Sequence, residues 1–366
     1  MAIDTTRSDA PRQLNGLGQS LWLDNITRDL LDNGTLGRYI GSGLCVTGLT
    51  SNPTIFDHAI SKSTAYDEDV RALAAKGLSV EDLFFELAIA DLTRAADLFR
   101  PVYERTATVD GWVSLEVSPL LAYDTAQTLN AARSLHARAG RPNLFIKIPG
   151  TREGLPAIEE AIFQGVPVNV TLLFSMEQYE AAAQAYLRGL ERRVTAGLSP
   201  DVRSVASLFI SRWDKATLER LPATLRNTLG IAVGQQSFRA YRQLMATDRW
   251  QRLMNLGARP QRLLFASTGV KDPTAPDTLY ITALAAANTV NTMPEETLLA
   301  FGDHGSIHGA LTPDGGSCDR TLAAIAAAGV DVAALAAQLQ SEGAASFNAS
   351  WQNLLQSIRV KSKSLK

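Results

Sequence analysis

Cysteine is nearly absent. Cys45 and Cys318 are too few for a disulfide framework, and neither belongs to a CxxC pair of the kind that holds a metal. A reducing cytoplasm suits such a chain. No uninterrupted apolar run reaches the roughly 20 residues that a membrane span requires. The stretch from Met1 to Gln19 is polar and turn-rich, without the apolar core of a signal peptide. An excess of positive charge is missing too. With 35 Lys+Arg against 37 Asp+Glu and a net charge of -2, there is no basic stripe to meet nucleic-acid phosphates. Nucleotide motifs are lacking, because Gly41-Ser42-Gly43 and Gly315-Gly316 stand outside any GxGxxG or GxxxxGK pattern. His304-Gly305-Ser306-Ile307-His308 has metal-pair spacing, yet it carries a glycine and lacks the glutamate of HExxH. The expectation is an unexported globular protein with no cofactor, no metal, no nucleic-acid partner and no membrane partner.

What is present fits that class. Of the 366 residues 46% are hydrophobic and 20% charged, which is ample for a core. Short apolar or β-branched runs alternate with longer helical patterns, as in βα units around a parallel sheet. Eight strands are expected, at Leu21 to Ile26, Cys45 to Thr50, Trp112 to Val117, Leu144 to Ile148, Pro167 to Leu172, Ser204 to Phe209, Arg262 to Ser267, and Thr289 to Met293. Eight suggests a closed (β/α)8 TIM-type barrel. Pro/Ser-rich boundaries, low-complexity blocks and charge runs are all missing. A single elaborated barrel over 19–366 is therefore expected behind an N-terminal arm, 1–18, with additional helices and a helical C-terminal segment.

Ser118 to Ala139 reads as one helix stopped by Gly140, and Ser175-Met176-Glu177-Gln178 has capping-box spacing ahead of an alanine-rich helix ending near Gly197. Asp57 to Thr108, Pro222 to Arg259 and Glu295 to Arg359 exceed a minimal repeat, and each looks helical. Within the first, Ser79 opens a helix whose Leu83, Leu87, Ala90 and Leu98 form an apolar stripe suited to core packing. The last residues, Arg359 to Lys366, read as a solvated tail.

In such a barrel chemistry sits where strands end. Asn143-Leu144-Phe145-Ile146-Lys147-Ile148-Pro149-Gly150-Thr151 places one lysine in an apolar strand. Alternation points Phe145, Lys147 and Pro149 one way and the aliphatics the other. A lysine desolvated among apolar side chains loses affinity for its proton, and the free amine attacks carbonyls. The alternative is a lysine snorkelling to water. On the preceding strand Ser114, Glu116 and Ser118 share a parity, so Glu116 faces inward as either a proton shuttle or half of a structural ion pair. Asp24 interrupts the first strand near its end, as a base for a hydroxyl proton or as the cap of a helix near Thr27. Asn169 and Thr171 share a face, where they orient a polyol or a water, or serve as satisfied core groups. Ser207 to Arg212 and Ser267 to Lys271 follow late strands with the donors that a phosphate monoester needs.

Gly48-Leu49-Thr50-Ser51-Asn52-Pro53-Thr54-Ile55-Phe56 and Phe145-Ile146-Lys147-Ile148-Pro149-Gly150-Thr151 together resemble the two signatures of the transaldolase family, in order. Asn169 to Phe174 and Asn291-Thr292-Met293-Pro294 resemble further family segments. The resemblance runs from Leu21 to about Gly309. It implies a cytoplasmic transferase of the pentose phosphate pathway that moves a dihydroxyacetone unit from a ketose phosphate, sedoheptulose 7-phosphate or fructose 6-phosphate. The acceptor is an aldose phosphate, glyceraldehyde 3-phosphate or erythrose 4-phosphate. It further implies that Lys147 forms a Schiff base, Asp24 acts on the cleaved hydroxyl, and Glu116 works through a water held by Thr171. Asn52 and Asn169 would hold the three-carbon unit, Ser207 its terminal hydroxyl, and Arg212 and Ser267 the phosphate. Where many relatives carry a second phosphate-binding Arg, this chain has Thr268-Gly269-Val270, so Lys271 is expected to replace it. A fructose 6-phosphate aldolase would release free dihydroxyacetone, but those relatives typically have Gln at the position of Glu116 and Tyr at that of Phe209. A non-catalytic sugar-phosphate-binding barrel would set Asp24 and Glu116 against its own ligand's charge. Oligomeric state is left open, a homodimer included.

Overall fold

The computed structural model describes residues 8–365. Eight parallel strands close a barrel in chain order: β1 Gln19–Asp24, β2 Val46–Thr50, β3 Trp112–Glu116, β4 Leu144–Pro149, β5 Val168–Leu173, β6 Ser204–Phe209, β7 Gln261–Ala266 and β8 Thr289–Met293. All eight expected strands form, β6 and β8 with the expected ends and the other six with ends moved by one or two residues. The larger shift is at β1, which begins at Gln19 and stops at Asp24, so Asn25 and Ile26 lie beyond it. Asn25 is drawn off by a hydrogen bond from Nδ2 to Glu295 Oε2, 3.0 Å.

Strand alternation sorts side chains between the barrel interior and the helix layer. Leu144, Ile146, Ile148, Val168 and Val170 join the large core beneath the helices. The inward set stacks in layers. Trp22, Trp112, Phe145, Val205, Leu264 and Val290 form a separate apolar plug inside the barrel. Trp112 and Phe145 stack with ring centroids 4.0 Å apart. Gly48 makes room for this plug, since a Cβ there would lie 2.6 Å from the Trp22 indole. Above the plug, towards the strands' C-terminal ends, the inward positions turn polar, with Asp24, Thr50, Glu116, Lys147, Thr171 and Ser207.

The helix readings need correction in detail. Pro119–Leu121 is a short 3-10 turn and the helix proper is Thr125–Ala139, because Asp124 accepts the Gln127 N–H and starts it later; Leu120 is exposed. Asp57 to Thr108 divides into Pro53–Lys62, Asp67–Ala75 and Val80–Arg105. In the last of these the buried stripe is Leu83, Leu87, Leu92, Ala95 and Phe99, while Ala90 and Leu98 face solvent, since the true stripe follows the i, i+4 rows. Pro222 to Arg259 gives Ala223–Leu225, Leu229–Met245 and Asp248–Asn255. Ser175 caps Met176–Thr195 as expected, although Gln178 returns its side chain to the Phe174 N–H. Met1 to Arg7 of the expected arm lie outside the described residues. Ala10–Gly16 is a helix with Leu14 buried, and Gly18 accepts a backbone hydrogen bond from Asn288. No single described helix is long and apolar enough to cross a membrane.

Glu295 to Arg359 also divides, into Glu295–His304, Cys318–Ala327 and Val332–Ser364. The last, the C-terminal helix, is laid over the barrel mouth. Gln340 Nε2 donates to Leu172 O at 2.9 Å and to Gly150 O at 3.2 Å. Leu172 is left-handed (φ 61°) where the pairing of β5 with β6 slips, a conformation costing about 1–2 kcal/mol for a non-glycine residue. Further along, Thr54 Oγ1 donates to Ser350 Oγ (2.8 Å), and Trp351 packs on Phe84 and Phe85. The end of this helix is solvated as expected, with no residue of 359–365 buried, but it is helical rather than loose and is tied at Lys361, which donates to Ser63 O and pairs with Asp67. Lys366 lies outside the described residues.

Candidate active site

The second-strand signature shows why each of its residues is there. Thr50 ends β2 beside Asp24, and its hydroxyl donates to Asp24 Oδ1 at 2.7 Å. Ser51 donates its hydroxyl to Ser114 O and offers its own carbonyl to Lys147 Nζ at 3.1 Å. Asn52 accepts the Ile55 N–H and so caps Pro53–Lys62, with Pro53 in the first turn, where its missing N–H costs nothing. The fourth-strand signature is equally local. Gly150 N–H bonds Thr171 O, and Thr151 Oγ1 accepts the Gly154 N–H, which fixes the turn that follows the lysine strand.

Lys147 does not snorkel. It is 5% exposed, directly opposite Glu116 in the β3–β4 register, with Nζ 3.2 Å from Glu116 Oε2. That contact is close but off-axis for a hydrogen bond. Both Glu116 oxygens, and Thr171 Oγ1 across the same interior, have no hydrogen-bond partner among the described residues. Buried polar atoms left this way call for water or a ligand. Burial raises the Glu116 carboxyl above the usual range, against the pull of the Lys147 charge, and nearby Asp24 adds to the rise. Asp24 is raised by burial as well, with Lys147 and the Thr50 hydroxyl opposing. Asp24 is not a helix cap, because Thr27 uses its own hydroxyl for the Leu30 N–H.

A cavity of about 470 Å³ opens at this end of the barrel, lined in part by Asp24, Asn52, Lys147, Thr171, Ser207, Phe209, Arg212, Ser267 and Lys271. Nine of the eleven residues singled out from the sequence thus share one wall system. Glu116 and Asn169 lie just behind it. Asn169 donates to Ser114 Oγ (3.1 Å) and accepts from Ser207 Oγ (2.7 Å), so it reaches the cavity through Ser207. Arg212 makes no hydrogen bond or ion pair among the described residues. Its guanidinium lies over the rings of Phe209, 5.3 Å, and Phe347, 5.8 Å, and burial lowers its affinity for the proton. The backbones of Ser211 and Ser267 are joined, N–H to O at 3.0 Å, which brings the two late loops to one side. Lys271 is exposed at the rim.

Sequence reasoning missed Thr50, Thr292, His58 and Phe347, all of which line the cavity. The inward parity that picked out Lys147 also picks out Thr50 on β2 and Thr292 on β8, and their hydroxyls meet at 2.6 Å. Phe347 comes from the C-terminal helix, and no local pattern marks it.

A family model described as Transaldolase/Fructose-6-phosphate aldolase matches residues 21–358. Among relatives, the Transaldolase of Parafrankia sp. (strain EAN1pec) is 44% identical over 94% of this chain and 96% of its own length. That of Saccharopolyspora erythraea is 45% identical over 97% and 98%, and that of Thermobifida fusca (strain YX) 45% identical over 95% and 96%. With a closed eightfold barrel, a buried lysine at the end of β4 and this full-length similarity, the chain belongs to the transaldolase/fructose-6-phosphate aldolase family.

Proposed function

We propose that the chain is a transaldolase, which carries a dihydroxyacetone unit from a ketose phosphate to an aldose phosphate on Lys147. The observation that carries the reading is the Lys147 ammonium, buried 3.2 Å from Glu116 and facing a cavity it shares with Asp24 and the unpaired Arg212. An amine with no acid–base neighbours would be a poor imine former.

In this reading the ketose phosphate enters with its phosphate against Arg212, Ser267 and the rim Lys271, where a forked donor without a competing anion is waiting. Asn52 and Ser207 take hydroxyls of the three-carbon end, with Asn169 holding Ser207. The Lys147 amine adds to the ketone carbon. Glu116 and Thr171, whose buried oxygens lack hydrogen-bond partners among the described residues, pass protons through a water, so that the carbinolamine oxygen leaves as water and a protonated imine remains. Asp24 removes the proton from the hydroxyl on the far side of the bond to be broken. That carbon–carbon bond then breaks, its electron pair moves into the imine to form an enamine, and the first aldose phosphate departs. The acceptor aldehyde is attacked by the enamine carbon and Asp24 returns the proton to the new hydroxyl. Hydrolysis of the imine frees Lys147. The raised pKa of Asp24 suits this double duty, since a carboxylate of ordinary acidity takes up a proton less readily.

Borohydride reduction in the presence of fructose 6-phosphate tests the reading. A reduced three-carbon adduct on the peptide containing Lys147 is the expected result, and its absence would end the case for imine chemistry.

A further inference from the structure

Phe347 reaches the lysine from a helix that none of the acid–base steps uses. Its ring centroid lies 5.9 Å from Lys147 Nζ and 5.8 Å from the Arg212 guanidinium carbon, so one ring faces the two buried cations of the cavity, with Lys271 out at the rim. It is 5% exposed and packs edge-on against Phe209, which in turn stacks on Phe174 at 5.2 Å. The three rings make one continuous apolar wall. Gln340 and Ser350, on either side of Phe347, tie its helix to the barrel at Leu172, Gly150 and Thr54. The ring is held in place at the mouth.

We infer that Phe347 sets the partition between transfer and hydrolytic release of the three-carbon unit, an inference that rests on the transfer reading above. The enamine on Lys147 has two fates. In the productive one its carbon attacks the acceptor aldehyde, a carbon–carbon bond forms, and the aldehyde oxygen takes the proton from Asp24. In the wasteful one that carbon takes a proton instead and becomes the protonated imine of dihydroxyacetone. Water then adds to the imine carbon, the carbon–nitrogen bond breaks with the electron pair returning to Lys147, and free dihydroxyacetone leaves. Water supplies both the oxygen and the protons of that second route. The aromatic wall gives water no strong hydrogen-bond partner on its side of Lys147, so water is held instead by the polar groups opposite, Glu116 and Thr171 among them.

The test measures free dihydroxyacetone released from fructose 6-phosphate against transfer to erythrose 4-phosphate, in the wild type, Phe347→Ala and Phe347→Leu. Phe347→Ala opens the apolar wall to water and is expected to raise the release-to-transfer ratio about tenfold, which corresponds to about 1.4 kcal/mol between the two barriers. Phe347→Leu keeps the helix packed and the face apolar but covers less of the cavity, so a smaller rise of roughly threefold is expected. It decides the matter alone where the alanine variant does not fold. Unchanged ratios in variants that still yield the borohydride adduct at Lys147 would overturn the inference. Failure of the underlying reading looks different, because the wild type itself would then give no adduct.

Discussion

At the N-terminal end of the barrel Arg262 spends its donors on Asp110 Oδ1 (3.2 Å), Val109 O (3.2 Å), Ser20 Oγ (2.5 Å) and Thr289 O (2.7 Å). Asp110 accepts in turn from Ser20 Oγ and from Trp22 Nε1. At the other end, beyond the plug of Trp22, Trp112 and Phe145, Lys147 and Glu116 touch off-axis, and among the described residues the Thr171 hydroxyl has no hydrogen-bond partner and Arg212 meets only aromatic rings. One strand, β1, serves both ends through Ser20 and Asp24. Both ends bury charge at a desolvation cost, but the lower network meets its charges with hydrogen bonds throughout, whereas around the upper cavity Glu116, Thr171 and Arg212 are left without hydrogen bonds among the described residues. The difference separates charge that holds the fold from charge held ready for a substrate, as expected if a functional site gives up stability for pre-arranged chemistry.

The comparison is broken most severely at Asp110. Asp110→Ala leaves the Arg262 guanidinium buried without its counterion, and stability should fall by about 3–5 kcal/mol. Denaturant unfolding measures the loss, while the folded fraction should still form the borohydride adduct at Lys147. A variant as stable as the wild type would mean that the lower network is not structural.

Neither network was equally visible beforehand. Strand alternation is a local property, so Lys147, Glu116, Asp24 and Thr171 could be assigned to one interior from β1, β3, β4 and β5 alone, and the eight apolar runs sufficed for the barrel. The lower pair was not seen because Asp110 precedes β3 in a loop and meets Arg262 only when β1, β3 and β7 have closed into a ring. Phe347 was not seen for a related reason. Its helix reads as an ordinary amphipathic one, and its position over Lys147 depends on Gln340 finding a carbonyl freed by the left-handed Leu172. Helix breaks such as the one at Asp124 were missed because the capping side chain, not the apolar period, sets the start.

Asp214 sharpens the comparison, since it is a satisfied acid at the upper end, two residues from Arg212. It accepts from the Leu229 and Gly230 N–H groups and from the Tyr280 hydroxyl at 2.8 Å, which moors the Arg212 helix to the next one. Burial nonetheless pushes its pKa up to about 6 from 3.8. The folded protein therefore holds this proton to higher pH than the unfolded chain does. The stability it contributes is fully present below pH 3.8 and is lost as pH rises to about 6, a fall of about 3 kcal/mol at ~1.36 kcal/mol per unit. Asn keeps acceptors for the two N–H groups and cannot ionise. The stability of Asp214→Asn relative to the wild type should thus grow by about 3 kcal/mol across that window and level off above it. Parallel stability curves would show that Asp214 does not titrate there.

Arg212→Ala tests the upper end from the other side, and its expected effect, on binding and not on stability, is the smallest of the three in free energy. The guanidinium is partly desolvated and has no anion of its own, so removing it deletes a charge that the empty protein does not use. Unfolding midpoints should stay level or rise, in contrast with Asp110→Ala. What is lost is a charged contact to the substrate's phosphate, worth about 1.5–3 kcal/mol, so KM for phosphorylated ketoses should rise about 10- to 100-fold. An unphosphorylated donor makes no such contact, and its KM should hardly move. Equal changes for both donors would place Arg212 with the structural charges, and the division between the two ends of the barrel would no longer follow whether a charge is paired.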